Sequence, residues 1–334
     1  MPVAYCAFGG LERPASGAEA DAAIVGTPDP GYRMDIAPKS LPVRSTSLGG
    51  KSFYQQARLY VPALGGGGPQ PKGAVSLPWH RSSGETTTDL VSLEKRRVLV
   101  LLHGLGETRS AQLGLKAWGQ LYGLENAMTD LYAQRAPRVS NFFRLQRVRE
   151  FQRSLRADPF EGFVVVCPLT PNPKQYRRFG FASRKDLLDA YSEWIANVLL
   201  PDVQRRVGGG PLRVGLDGCS MGGYVATEVF LRRPRAFTSF GVVQSAIGKH
   251  RVKGFVERLK AAPIFPESLP CMHVQTSTRD PFRDANKYFA TRLKSAGVPV
   301  TLTVLPGPHN QPWLRRAGTY QMLRFHDQAL QQGS

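Results

Sequence analysis

The stretch Arg213 to Val225 constrains this chain more than any other. A short apolar run (Leu212-Arg213-Val214-Gly215-Leu216) feeds Gly218-Cys219-Ser220-Met221-Gly222, and a helix-like run follows. That order describes a strand, a sharp turn and a helix. A residue at the top of such a turn sits in strained backbone geometry, and its neighbours two positions away come too close for any side chain beyond hydrogen. Gly218 and Gly222 meet that demand. The turn lifts the Ser220 hydroxyl clear of the backbone, and the following helix aims free N–H groups and its positive dipole end at the same spot. Cys219, beside it, points away from such a spot and is read, like the other three cysteines, as a small buried hydrophobe.

Around this stretch, apolar runs of strand length alternate with helical patterns. Arg97 to Leu102 is a continuous run, the mark of a strand buried on both faces, Phe163 to Pro168 is the next buried strand, and Leu212 to Leu216, Phe240 to Gln244, Met272 to Thr276 and Val300 to Leu305 are further strands. Helical segments separate them. One begins at Ser183, with Leu187, Leu188, Tyr191, Ile195, Val198 and Leu199 on one face; another runs from Asp284 to Ala296, and a last one starts near Trp313. The expectation is an α/β chain with a mostly parallel sheet and helices on both of its faces. Phe53 to Pro62 alternates and is expected to pair with a first strand near Pro42-Val43 through Gly49-Gly50, as N-terminal antiparallel strands.

Residues 1–40, without periodicity, are expected to be a loosely ordered arm, and 41–334 one domain. An inserted surface loop covers 63–95, and a helical insertion lies at about 125–160. In that insertion Phe142 to Arg156 places Leu145, Val148, Phe151 and Leu155 on one stripe and arginines elsewhere. Three roles fit such a basic helix: a lid, a membrane-surface helix touching an anionic surface, or an extra helix packed on the body. The formal net charge is +19; no nucleic-acid motif accompanies it, so a solvated basic surface is the expectation. No apolar run approaches the roughly 18 residues of a membrane span, and the N-terminus lacks a signal pattern. A cytoplasmic location is expected.

Acyl transfer needs a nucleophile, a base and a negative group that orients the base. Ser220, Asp280 and His309 each follow the carboxyl end of an expected strand, and those ends share one edge of a parallel sheet. Of the six histidines, His103 belongs to a glycine-rich loop, and only His309 occupies a mobile loop just past a strand. Asp284, one helical turn on, is the alternative acid, and Asp217 is too tightly tied to the turn. The loop His103-Gly104-Leu105-Gly106 leaves a central strand and can turn a backbone N–H toward Ser220. The N–H groups of Leu105 and Met221 are the expected oxyanion donors, and Gly106, Tyr176, Gln244 and Ser245 are pocket candidates by position. Neither a metal nor an organic cofactor is required.

Gly218-Cys219-Ser220-Met221-Gly222-Gly223, His103-Gly104-Leu105-Gly106, Thr278-Arg279-Asp280-Pro281 and Pro308-His309-Asn310-Gln311-Pro312-Trp313 together resemble the esterase D-like and feruloyl-esterase-like branch of the α/β-hydrolase superfamily. The resemblance spans roughly Lys51 to Leu330 and implies an α/β-hydrolase fold. It also implies a serine esterase in which an ester acylates the serine and water releases the acid. Transfer of the acyl group to another acceptor, a thioesterase activity, or a non-catalytic relative binding an acidic partner through its basic face are the alternatives.

Overall fold

The structure is a computed structural model that describes residues 31–42, 52–62, 96–207 and 209–331. Its eight strands are β1 (Gly31–Pro42), β2 (Ser52–Pro62), β3 (Arg96–Leu102), β4 (Val164–Pro168), β5 (Leu212–Gly218), β6 (Ser239–Val243), β7 (Cys271–Arg279) and β8 (Val300–Pro308). They form one sheet in the order β1-β2-β4-β3-β5-β6-β7-β8. β1 with β2 and β2 with β4 run antiparallel, and every later pairing is parallel. This is the mostly parallel sheet with N-terminal antiparallel strands that the alternation of runs implied.

β1 departs from the expectation. Its register runs from Gly31 opposite Pro62 to Pro42 opposite Ser52, with an irregularity between Ile36 and Lys39. Ten residues of the segment read as an arm are therefore strand. Pro38, inside the irregularity, has no N–H to give a ladder and is tolerated there because β1 is an edge; it is also what hid the strand's periodicity. The remainder of the arm, the Gly49-Gly50 connection and the inserted loop 63–95 lie outside the described residues.

The helices are α1 (Ala111–Lys116), α2 (Leu124–Tyr132), α3 (Leu145–Ala157), α4 (Arg184–Trp194), α5 (Leu200–Arg206), α6 (Met221–Arg232), α7 (Val252–Lys260), α8 (Arg283–Ser295), α9 (Gln311–Trp313) and α10 (Thr319–Gln331). The two-residue period of the strands decides which helices cover which face. Val98, Val100 and Leu102 of β3 point into a core shared with α4, α5, α6, α7 and α8. Leu99 and Leu101 point the other way, into a core shared with α2, α3 and α10. Because every central strand is covered twice, its sequence reads as an unbroken apolar run.

α3 belongs to the second core. Phe151 and Leu155 of its apolar stripe are buried, and Phe143 meets Phe151 edge to face at 5.7 Å. Its C-terminal end is held by Arg324 of α10, whose Nη2 donates to the Asp158 carbonyl at 2.5 Å and to the Asp158 carboxylate at 2.7 Å. These contacts fix the apolar side and the C-terminal end of α3 on the body.

Candidate active site

Ser220 is the last residue before α6 and has φ 54° and ψ −119°. This is a left-handed, strained backbone for a residue with a side chain. It persists because the neighbours leave no other path. A Cβ on Gly218 would stand 2.4 Å from the Gly222 carbonyl oxygen, and one on Gly222 would stand 2.2 Å from that of Leu102. The turn is further pinned by Ser220 N–H to Val243 O at 3.0 Å and Ala246 N–H to Ser220 O at 2.8 Å.

β7 ends at Arg279 and β8 at Pro308, so Asp280 and His309 are the first residues beyond the two strands. The structure brings both to Ser220. His309 Nε2 lies 3.0 Å from Ser220 Oγ, and His309 Nδ1 lies 2.9 Å from Asp280 Oδ1. Nδ1 faces a carboxylate and donates, so Nε2 is left to accept from the serine hydroxyl. Asp280 is fixed in turn: Thr276 Oγ1 donates to Oδ2 at 2.6 Å and the Phe282 N–H to Oδ1 at 3.0 Å. Its side chain is fully buried, while that of His309 remains 13% exposed. Asp284, the alternative acid, is exposed and paired with Arg283, and Asp217 points into the core.

Among the described residues neither the Leu105 N–H nor the Met221 N–H has a hydrogen-bond partner. Met221 opens α6, where a helix leaves its first amides free. Leu105 lies on the loop after β3, beside the serine: a Cβ on Gly104 would stand 3.6 Å from Ser220 Cβ. A buried set of side chains that the motifs did not reveal sets the course of that loop. His103 N–H donates to Thr170 Oγ1 and Thr170 N–H donates to His103 Nε2, each at 2.9 Å, while His103 Nδ1 donates to Gly104 O. Burial lowers the His103 pKa, so the ring is neutral and can accept at Nε2. Gly104 N–H donates to Tyr122 Oη at 3.1 Å, Tyr122 donates to Glu107 at 2.5 Å, and Gln311 donates to the other Glu107 oxygen at 3.0 Å. Burial pushes the Tyr122 phenol well above its ordinary value of 10.0, which keeps it a donor. The loop after β3 and the loop carrying His309 are thereby tied together. Glu107, four residues after His103, and Gln311, two after His309, are the local signals that could have pointed to this link.

Of the pocket candidates, Gly106 is open, with nothing within 4 Å of an added Cβ. Tyr176 is half-buried against the first core and carries Arg177 over its ring at 5.7 Å. Gln244 and Ser245 are buried and do not line an open surface. Gln244 Nε2 instead donates to Ser277 Oγ at 2.7 Å and Pro308 O at 3.0 Å, supporting the strand end that carries His309. Position after a strand could not separate a pocket wall from such a support. Cys219 is buried too, and burial raises its thiol well above the ordinary 9.0, so it stays a neutral thiol. No three His, Cys, Asp or Glu side chains are grouped to hold a metal ion among the described residues.

The chain has the α/β-hydrolase fold. It superposes on a ferulic acid esterase with a TM-score of 0.54 and 16% identity, covering 90% of this chain and 99% of that one. An S-formylglutathione hydrolase from Agrobacterium tumefaciens gives 0.52 at 15% identity, covering 91% and 98%. The fluorophosphonate-binding serine hydrolase F of Staphylococcus aureus gives 0.51 at 14%, covering 89% and 99%. No family model and no curated protein matches the sequence.

Proposed function

We propose that this protein hydrolyses carboxylic esters through a Ser220-His309-Asp280 triad and an acyl-enzyme. The observation that carries the reading is the unbroken chain Ser220 Oγ, His309, Asp280 at 3.0 and 2.9 Å, set on a strained turn beside two unused amides. His309 Nε2 takes the proton of Ser220 as Oγ attacks the ester carbonyl. The Leu105 and Met221 N–H groups receive the oxygen that becomes negative. His309 then gives the proton to the departing alkoxide, leaving an alcohol and an acyl-serine. A water enters, loses a proton to the same nitrogen, and frees the acid. Asp280 keeps Nδ1 protonated and offsets the imidazolium charge at each transfer.

The test is turnover of p-nitrophenyl esters from short to long acyl chains by the wild type, Ser220→Ala and His309→Ala. Expected is a loss in kcat of about 10⁴ to 10⁶ in either variant, with unchanged folding. Turnover by Ser220→Ala equal to the wild type would remove the nucleophile from this account. The names of two similar structures add a feruloyl ester and S-formylglutathione to the panel. Added alcohol or amine in the same assay separates hydrolysis from acyl transfer by the product formed.

A further inference from the structure

The apolar stripe of α3 is longer than the core it packs on. Leu155 and Phe151 are buried and Val148 is half-buried, but Leu145, at the helix's first turn, is 49% exposed. That end of α3 is the one beside the active site. A Cβ on Gly307, two residues before His309, would stand 2.9 Å from the Phe142 ring. Ser140 and Phe143 exchange backbone hydrogen bonds at 3.0 and 3.1 Å, closing a turn between Val139 and Arg144. Val139 is 57% exposed. The other large apolar side chains standing out of the described surface are Leu105, Leu113 and Phe179. Leu105 and Leu113 follow β3 and Phe179 follows β4, so all three leave the same sheet edge as Ser220. Val139 and Leu145 thus stand exposed at the end of α3 that borders the site.

The cations of α3 point to what covers this end. Several arginines elsewhere are paired: Arg232 binds Asp189 and Glu228, Arg258 shares Glu228, Arg205 and Arg206 share Asp202. Arg144, Arg147, Arg149, Arg153 and Arg156 are all exposed, and none has an acidic partner among the described residues. The helix's one carboxylate, Glu150, accepts from Gln146. Unpaired guanidinium groups beside exposed aliphatic side chains match a surface that offers phosphate at its boundary and hydrocarbon just below it. A nucleic-acid backbone would match the charge but not the aliphatic side chains.

We propose that the arginine side of α3 and the rim around Val139 and Leu145 dock this protein on an anionic phospholipid surface, with the active site opening toward it. That the docked protein there hydrolyses an ester rests on the proposed function; the docking does not. The experiment therefore reads binding alone. The full chain carrying Ser220→Ala is sedimented with vesicles of phosphatidylcholine, and with vesicles in which about one quarter is phosphatidylglycerol. Expected is co-sedimentation only with the anionic vesicles, largely released at about 0.5 M salt. Changing Arg147, Arg149, Arg153 and Arg156 to Gln weakens binding by about a hundredfold or more. Val139→Ser with Leu145→Ser weakens it roughly tenfold. All six side chains are on the surface, so thermal unfolding of the variants should match the parent. Binding to neither vesicle, equal binding to both, or no effect of the aliphatic pair would overturn the proposal. So would tighter binding to duplex DNA than to anionic vesicles at one salt concentration, which would give the face to nucleic acid. Short soluble esters, assayed with the active chain, report separately on the chemistry.

Discussion

At the scale of single residues, the site spends its strain at Ser220 and its hydrogen bonds on the two loops that flank it. A left-handed backbone at a residue with a side chain costs on the order of 1–3 kcal/mol, and the close packing of Gly218 and Gly222 is what holds it. The loop after β3 has a different support, the line from Gly104 through Tyr122 and Glu107 to Gln311. Tyr122→Phe removes one oxygen and breaks that line at its middle, leaving the Gly104 N–H without its acceptor. In the proposed mechanism the Leu105 amide would then lose its fixed aim at the developing oxyanion. A kcat lower by roughly ten- to a hundredfold with KM nearly unchanged is the expected result in steady-state ester hydrolysis; an unchanged kcat would show that the loop holds its course without the phenol. Ser220, Asp280 and His309 were legible because each stands just beyond a run of strand length, on the edge where the carboxyl ends of a parallel sheet converge. The tie between Glu107 and Gln311 joins positions 204 residues apart, and no local spacing records it.

At the scale of elements, the strands covered on both faces could be read directly, since a fully buried strand has no polar face to dilute its pattern. β1 could not, because an edge strand with a proline and an irregularity carries little periodicity. α3 was legible as a basic amphipathic helix, but its stripe alone could not say what it packs on. The answer lies in a contact with α10. Arg324 is buried and meets Asp327 Oδ2 at 3.2 Å as well as the Asp158 carboxylate and carbonyl. Removing the charge leaves Asp327, whose carboxyl burial already pushes up to about 6, with Arg97 at 3.9 Å as its remaining cation. Losing one member of such a buried set typically costs about 3–5 kcal/mol. Arg324→Met should lower Tm by about 5–10 °C, and hydrogen exchange should show Ser154 to Asp158 opening first. Protection of that segment equal to the wild type would mean that Phe151 and Leu155 alone hold the helix.

At the scale of the whole molecule, folding stability should respond to acid through histidines far from the chemistry. Below the Ser220 turn, His326 lies between Ser239 Oγ at 2.8 Å and Asp217 Oδ2 at 3.0 Å, all three fully buried. Gly215 and Gly241 make the room: a Cβ on Gly241 would stand 2.0 Å from that same Asp217 oxygen. Asp217 and His326 can share a proton within the pair. His273 has no such carboxylate. Its Nε2 meets the Thr303 hydroxyl at 3.0 Å, its Nδ1 is buried without a partner, and burial, then the charge of His326, lower its pKa to about 3. Above the ordinary value of 6.5 the ring is neutral in both folded and unfolded chains, and stability is at its full value. Between 6.5 and about 3 the unfolded chain takes up a proton that the folded chain refuses, so acid favours unfolding by about 1.4 kcal/mol per pH unit. His273→Gln keeps a polar side chain near Thr303 and removes this titration. Urea unfolding of both proteins at pH 7 and pH 5 should show the wild type losing about 2 kcal/mol more than the variant. Equal losses would place the acid sensitivity on other groups. Because His273 lies inside β7, well before the strand ends at the loop carrying Asp280, ester turnover at neutral pH should be the same in both proteins.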